Sequence, residues 1–261
     1  MEHRKYNNEP YQVIALHGGP GACGQIAPVA RHISEYISVI EPFQLQNTID
    51  DIVENLKILI TQICNNPVTI IGHSWGAWLA LIYATRYPNI VKKIILIGAP
   101  SFEHKYVSSL LKSRKRNLTD EEFAEYNYFM KIINSQDNWP NDFDLKKFEY
   151  ILMKADSFKL NGFTNEIVDF KLDILKNVWK EAENLRKTNV FINMANSVNC
   201  DVTIIHGNKD PHSYSGVFNS LSKLNKNFKF YLLKNCGHYP WFEEYASNEF
   251  FEILRMELIN K

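Results

Sequence analysis

The chain has 261 residues, 45% of them hydrophobic, and its 29 Lys and Arg residues balance its 29 Asp and Glu residues. That length and apolar content suit one large α/β domain or a core with an insertion, and the charge balance lacks the basic footprint of a nucleic-acid binder. No apolar run approaches the roughly 18 residues of a membrane span, the polar start from Met1 to Asn8 has no signal-peptide core, and the scattered Cys23, Cys64, Cys200 and Cys236 lack metal-ligand spacing, which predicts reduced thiols in a cytoplasmic protein.

Strand-like and helix-like stretches alternate through the first hundred residues. Tyr11 to Leu16 reads as a strand that runs into the glycine-rich loop His17-Gly18-Gly19-Pro20-Gly21. Ile37 to Ile40 is a second short strand, closed by Pro42. From Thr48 to about Cys64, apolar residues at Ile49, Ile52, Val53, Leu56, Leu59, Ile60 and Ile63 mark one face of a helix, with Asn47 or Thr48 as its cap. A strand over Pro67 to Ile71 precedes Gly72-His73-Ser74-Trp75-Gly76, and the apolar stretch Ala77 to Ala84 follows as a helix. Lys93 to Ile97 is the next strand, ending at Gly98-Ala99-Pro100. Short links between such elements imply a mostly parallel sheet with helices on both faces.

From Ser101 to about Asn199 the pattern is helical, with pieces at Thr119 to Asn134, Leu145 to Ala155 and Glu166 to Asn184, the first opening on the cap sequence Thr119-Asp120-Glu121-Glu122. Alternation then resumes with a strand over Val202 to Ile205, a helix over Ser213 to Leu224, a strand over Phe228 to Leu233 and a last helix over Glu243 to Leu258. The expected organisation is a core of residues 1–100 and 200–261 with a helical cap, 101–199, inserted between two strands. The basic run Lys112 to Arg116 reads as a solvated face.

A serine on a tight strand-to-helix turn is held in a strained conformation that exposes its hydroxyl. Ser74 therefore reads as a nucleophile, and it needs a base oriented by a carboxylate. Asp210 lies just past one predicted strand and His238 just past the next, so all three fall at the carboxyl ends of parallel strands, in the chain order Ser, Asp, His. A tetrahedral intermediate on Ser74 needs two N–H donors. Trp75 supplies one and the glycine loop the other, where Pro20 has no N–H and Gly19 comes first, then Gly18. His73 reads as support for the turn and His206 as packing; His3, His32, His104 and His212 show no partner pattern. No histidine pair has zinc spacing, so neither metal nor cofactor is expected.

These four segments, His17 to Gly21, Gly72 to Gly76, Gly207 to Asp210 and Gly237-His238, resemble the α/β-hydrolase superfamily over nearly the whole chain. The His-Gly-Gly-Pro-Gly loop with a Trp after the serine is most similar to its proline iminopeptidase branch. The resemblance implies an α/β-hydrolase fold with a helical cap, Ser74 as nucleophile, Asp210 and His238 as its partners, and Gly19 and Trp75 as oxyanion donors. It departs from the family at two places: the opening hairpin is missing before Tyr11, and Ile40 to Gln46 replaces an Asp-x-Arg-Gly-x-Gly-x-Ser segment. Iminopeptidases hold the substrate ammonium with cap carboxylates; here Glu121, Glu122, Glu125 and Asp156 are available without matching spacing.

The expected function is a cofactor-independent serine hydrolase acting on a small ester, thioester, lactone or amide, its substrate a small molecule or short peptide. Aminopeptidase action, carbon–carbon bond hydrolysis and non-catalytic ligand binding on the same fold are the alternatives. The aromatic residues Phe102, Tyr106, Phe123, Tyr126, Tyr128, Phe129, Trp139, Phe143, Phe148, Phe158 and Phe163 suggest either a partly apolar pocket or packing within the cap.

Overall fold

The computed structural model describes every residue except 136–143, 163–165, 224–227 and 260–261. Its strands are β1 (His3–Tyr6), β2 (Tyr11–Leu16), β3 (Ala22–Cys23), β4 (Val39–Pro42), β5 (Cys64–His73), β6 (Val91–Ile97), β7 (Asp169–Phe170), β8 (Asp201–Gly207) and β9 (Lys229–Leu233). Seven of them form one sheet in the order β1-β4-β2-β5-β6-β8-β9, and β3 pairs with β7 apart from it. From β4 to β9 the pairings are parallel.

The helices are α1 (Ala27–Ile33), α2 (Ile49–Ile63), α3 (Trp75–Arg86), α4 (Leu110–Arg116), α5 (Asp120–Asn134), α6 (Leu145–Asp156), α7 (Leu172–Lys187), α8 (Val190–Ser197), α9 (Ser215–Leu221) and α10 (Ser247–Ile259). Among the described residues none is long and apolar enough to cross a membrane. Of the residues in the predicted helix over Ser213 to Leu224, the last lies outside the described residues.

Period-two alternation splits the core across the sheet. Ile14, Leu16, Ile70, Ile94, Leu96 and Ile204 face a layer built from α2, α3, α7, α8 and α9. Val13, Ala15, Ile71, Ile95, Ile97 and Ile205 face α1 and α10 on the other side. A strand covered on both faces is mostly apolar, as the central strands are, with Thr69 and Thr203 among the buried exceptions and Thr203 Oγ1 donating to Glu257 at 3.0 Å. Helix α2 buries the stripe its periodicity predicts, and Thr48 caps it by accepting the Asp51 N–H at 3.1 Å. Helix α3 is buried all round from Trp75 to Ala84, which gives the serine turn a rigid base.

Two features go beyond what the sequence indicates. The chain start does not leave the sheet edge bare: β1 runs antiparallel to β4, with Arg4 opposite Glu41. An edge strand needs pairing on one side only, so a charged sequence can form it; Tyr6 Oη donates to the buried Glu41 carboxylate at 2.6 Å and Arg4 lies 3.6 Å from it. The helices between β6 and β8 are also not one unit. Tyr126, Phe129, Ile133, Phe148, Ile151 and Leu172 make a separate small core. Ile174, Val178 and Ala182 of α7 and Phe191 of α8 belong to the main one, Phe191 stacking on Trp78 at 4.4 Å.

The predicted cap on α5 is a full capping box, with Glu122 N–H donating to Thr119 Oγ1 at 3.2 Å and Thr119 N–H to Glu122 Oε2 at 2.9 Å. The basic run behaves differently from a plain solvated face. Lys112, Lys115 and Arg116 are exposed, but Arg114 turns inward to a bidentate pair with Asp156 at 2.6 and 2.7 Å and donates to Tyr126 Oη at 2.9 Å.

Candidate active site

The turn between β5 and α3 is set by backbone contact. A Cβ on Gly72 would run into the Gly76 carbonyl, and one on Gly76 into the carbonyls of Leu16 and His17 on β2 and just beyond it. Only glycines let the helix start that close to the sheet. Ser74, between them, sits at φ 51° and ψ −117°, a region a non-glycine residue enters only when its surroundings impose it. Trp75 is the first residue of α3, so its N–H has no acceptor within the helix. Its indole Nε1 donates to Gln44 Oε1 at 2.6 Å, and Gln44 N–H donates to His17 Nε2 at 3.3 Å. The segment Ile40 to Gln46 thus braces the residue after the serine. Burial holds His17 neutral, its pKa down to about 4.

Asp210 and His238 leave β8 and β9 at the same sheet edge. His238 Nδ1 donates to Asp210 Oδ2 at 2.8 Å, and both residues are buried. Burial would discharge each of them. For Asp210 it is outweighed by the attraction and hydrogen bonds of the His238 and His206 rings, which favour the carboxylate and hold the carboxyl far below the usual range. For His238 it is outweighed by the Asp210 charge and hydrogen bond, so the imidazole pKa ends above its ordinary value. Ser74 Oγ is not hydrogen-bonded to His238 in this conformation; such contacts commonly tighten only around substrate.

His206 and His212 turn out to be part of this cluster. The Asp210 carboxylate accepts the His212 N–H at 2.8 Å, and His206 Nε2 lies 3.3 Å from it while donating to the His212 carbonyl at 2.7 Å. The signal for His212 was present: Asp-Pro-His lets an aspartate accept the N–H two residues on, an Asx turn. Among the described residues no group of three His, Cys, Asp or Glu side chains is placed to hold a metal ion. None of the four cysteines forms a disulfide.

A cavity of about 130 Å³ opens over Ser74, with Gly18, Gly19, Gln25 and His73 on the sheet side and Phe148, Leu152, Met153, Phe170, Tyr239 and Phe242 around it. Gly19 has a positive φ of 54°, whereas Gly18 N–H is already donated to Gln25 Oε1 at 2.8 Å. Of the described aromatic residues named from the sequence, Phe148 lines the cavity, Tyr126 and Phe129 are packing, and Tyr128 and Phe158 are exposed. Trp139, Phe143 and Phe163 lie outside the described residues.

The cavity's acids are not the expected ones. Glu122 and Glu125 on α5 pair with Lys154 and Lys147, Glu121 is exposed, and Asp156 is held by Arg114. Glu149 on α6 and Glu166 line the cavity instead, and Glu166 forms a bidentate pair with Arg31 of α1.

The described residues of the segment 156–162 and 166–171 are tied to both loops of the site. At one end Asp156 O accepts the His238 N–H at 2.8 Å, and buried Glu243 accepts the N–H groups of Gly237, Phe158 and Lys159 at 2.7–2.8 Å. At the other end β7 pairs with β3, and Lys171 N–H donates to Gly21 O at 3.2 Å in the glycine loop. Spacing along the chain carries no signal for these long-range bonds.

The pattern of the α/β hydrolase fold family matches residues 13–245, and the chain belongs to that family of enzymes. It lies near the proline iminopeptidase branch: it is 23% identical to a Mycoplasma pneumoniae protein provisionally named a proline iminopeptidase, over 89% of this chain and 86% of that one. It is also 28% identical to the proline iminopeptidase of Thermoplasma volcanium, over 56% of this chain and 60% of that protein. Among solved structures, the meta-cleavage product hydrolase of Pseudomonas fluorescens superposes with a TM-score of 0.65 at 17% identity, covering 99% of this chain and 93% of that one, a likeness of fold.

Proposed function

We propose that this hydrolase is a serine hydrolase that cleaves an ester or amide of a small molecule or short peptide through an acyl-enzyme on Ser74. The observation that carries the reading is the strained Ser74 turn, which sets the hydroxyl on the floor of the cavity at the sheet edge shared with the 2.8 Å Asp210–His238 pair. His238 takes the proton from the Ser74 hydroxyl as Oγ attacks the substrate carbonyl. Asp210 keeps the imidazole oriented and stabilises its charged form. The N–H groups of Gly19 and Trp75 hold the developing oxyanion. His238 then protonates the leaving group, and water, deprotonated by the same imidazole, releases the acid. Helices α5 and α6, which form the separate small core, serve as the cap.

A second reading, aminopeptidase action, is favoured by the Glu149 carboxylate in the lining, which suits a substrate ammonium, beside Glu166, whose charge is shared with Arg31, and by the similarity to proteins named as iminopeptidases. A panel of short-chain aryl esters beside prolyl-arylamide separates the two. Ester turnover that disappears in Ser74→Ala is expected under both. Prolyl-arylamide cleavage that is also lost in Glu149→Gln selects the aminopeptidase. Turnover of neither substrate class, or full turnover by Ser74→Ala, contradicts the proposal.

A further inference from the structure

Gln25, just past the glycine loop, touches two other parts of the site at once. Its Oε1 accepts the Gly18 N–H at 2.8 Å, and its Nε2 lies 3.1 Å from His73 Nδ1. The other ring nitrogen, His73 Nε2, lies 2.9 Å from the carbonyl oxygen of His238. A carbonyl oxygen only accepts, so His73 Nε2 carries a proton. The ring is fully buried, and burial together with the neighbouring His238 keeps it neutral, so Nδ1 carries none and must accept. The Gln25 amide nitrogen is its donor, and this orientation leaves Oε1 free to accept from Gly18. His73 Nδ1 also lies 3.3 Å from Oε1, but two acceptors do not bond, so the Gly18 N–H remains the donor to Oε1.

Close packing supports the same arrangement. A Cβ at position 18 would lie 2.7 Å from His73 Nδ1 and 3.1 Å from Ser74 Cβ, so the loop rests directly on the residue pair that forms the turn. The His73 and His238 rings are 4.6 Å apart.

We infer that Gln25 is a positioning residue that, through neutral His73, fixes the oxyanion loop relative to the backbone of His238. It binds the three separate chain segments on which the chemistry depends, and by occupying the Gly18 N–H it leaves Gly19 as the donor of that loop. The inference rests on the serine-hydrolase reading of Ser74 and His238.

Gln25→Met keeps the length of the side chain and removes both its donor and its acceptor. The expected result with an aryl ester is a kcat about 30-fold lower, with KM within about threefold, because a loop displaced by a fraction of an ångström loses the transition state more than the substrate. The double variant with His73→Phe is expected to be no slower than the slower single variant, since both remove one linkage. A Gln25→Met protein with kcat within twofold of wild type, a loss confined to KM, or additive losses in the double variant would overturn the inference.

Nitrogen-15 NMR of the wild-type histidine rings decides it even if the variants fail to fold. His73 is expected as the Nε2–H tautomer, unprotonated at Nδ1 and untitrated between about pH 5 and 8; an Nδ1–H form or a titrating ring would refute the linkage. If wild type turns over no ester or arylamide, the hydrolase reading fails, and the ring tautomer still decides the Gln25–His73 bond.

Discussion

Asp210→Asn is expected to lower kcat for an aryl ester about 10⁴-fold near neutral pH while leaving the fold intact. The aspartate accepts from His238 Nδ1 at 2.8 Å through one oxygen and from the His212 N–H at 2.8 Å through the other. An asparagine that kept the second bond would turn its amide nitrogen toward His238, a donor facing a donor. The imidazole would then adopt the tautomer with its proton toward Ser74, where it cannot act as a base. The pH profile carries the sign of the same effect. Burial pushes the His238 pKa down, but the Asp210 charge more than offsets this and the net shift is upward. The base works as neutral imidazole, so wild-type kcat/KM should rise with pH through a pKa above the ordinary histidine value. Without the aspartate charge, burial dominates, and the residual activity should rise through a lower pKa. Profiles of both proteins between about pH 5 and 9 test this; unchanged kcat would mean that another group orients His238.

Gly76→Ala is expected to reduce stability by about 3 kcal/mol and kcat by about 100-fold. The new Cβ meets the main-chain carbonyls of Leu16 and His17, the latter at 2.7 Å, and no rotamer change relieves a contact with backbone in the sheet. Helix α3 must move outward, carrying Ser74 with it, and the buried layer from Trp75 to Ala84 moves too. Urea unfolding gives the first quantity and ester turnover the second. A variant with wild-type stability would show that the tight approach of α3 to β2 is not needed.

The parts of this protein legible in its sequence are those that local rules determine. Glycines two residues either side of Ser74 after a β-branched run specify a strand, a sharp turn and a helix, and the caps at Thr48 and Thr119 are read from neighbours three residues apart. Asp210 and His238 stand out in the sequence because each follows an apolar strand, and the structure pairs them at 2.8 Å. Elements whose reason to form is tertiary were not legible. The charged β1 exists because β4 offers it an edge and Glu41 a partner. The two-residue strands β3 and β7 exist because the glycine loop and the segment before α7 meet. The same limit applies to Gln25, Glu149 and Glu166: which acid faces the cavity depends on how α6 packs over the sheet edge, which no spacing along α5 or α6 reports. Arg114 shows the converse error, since a run of basic residues looks solvated until one of them finds a buried carboxylate.

The central claim is that Ser74 is the nucleophile. Wild-type protein treated with a fluorophosphonate at neutral pH, digested and analysed by mass spectrometry, tests it most directly. One adduct on the peptide containing Ser74, abolished in Ser74→Ala and strongly slowed in His238→Ala, is the predicted result. A folded wild-type protein that gains no adduct, or one labelled equally well after Ser74→Ala, would contradict it.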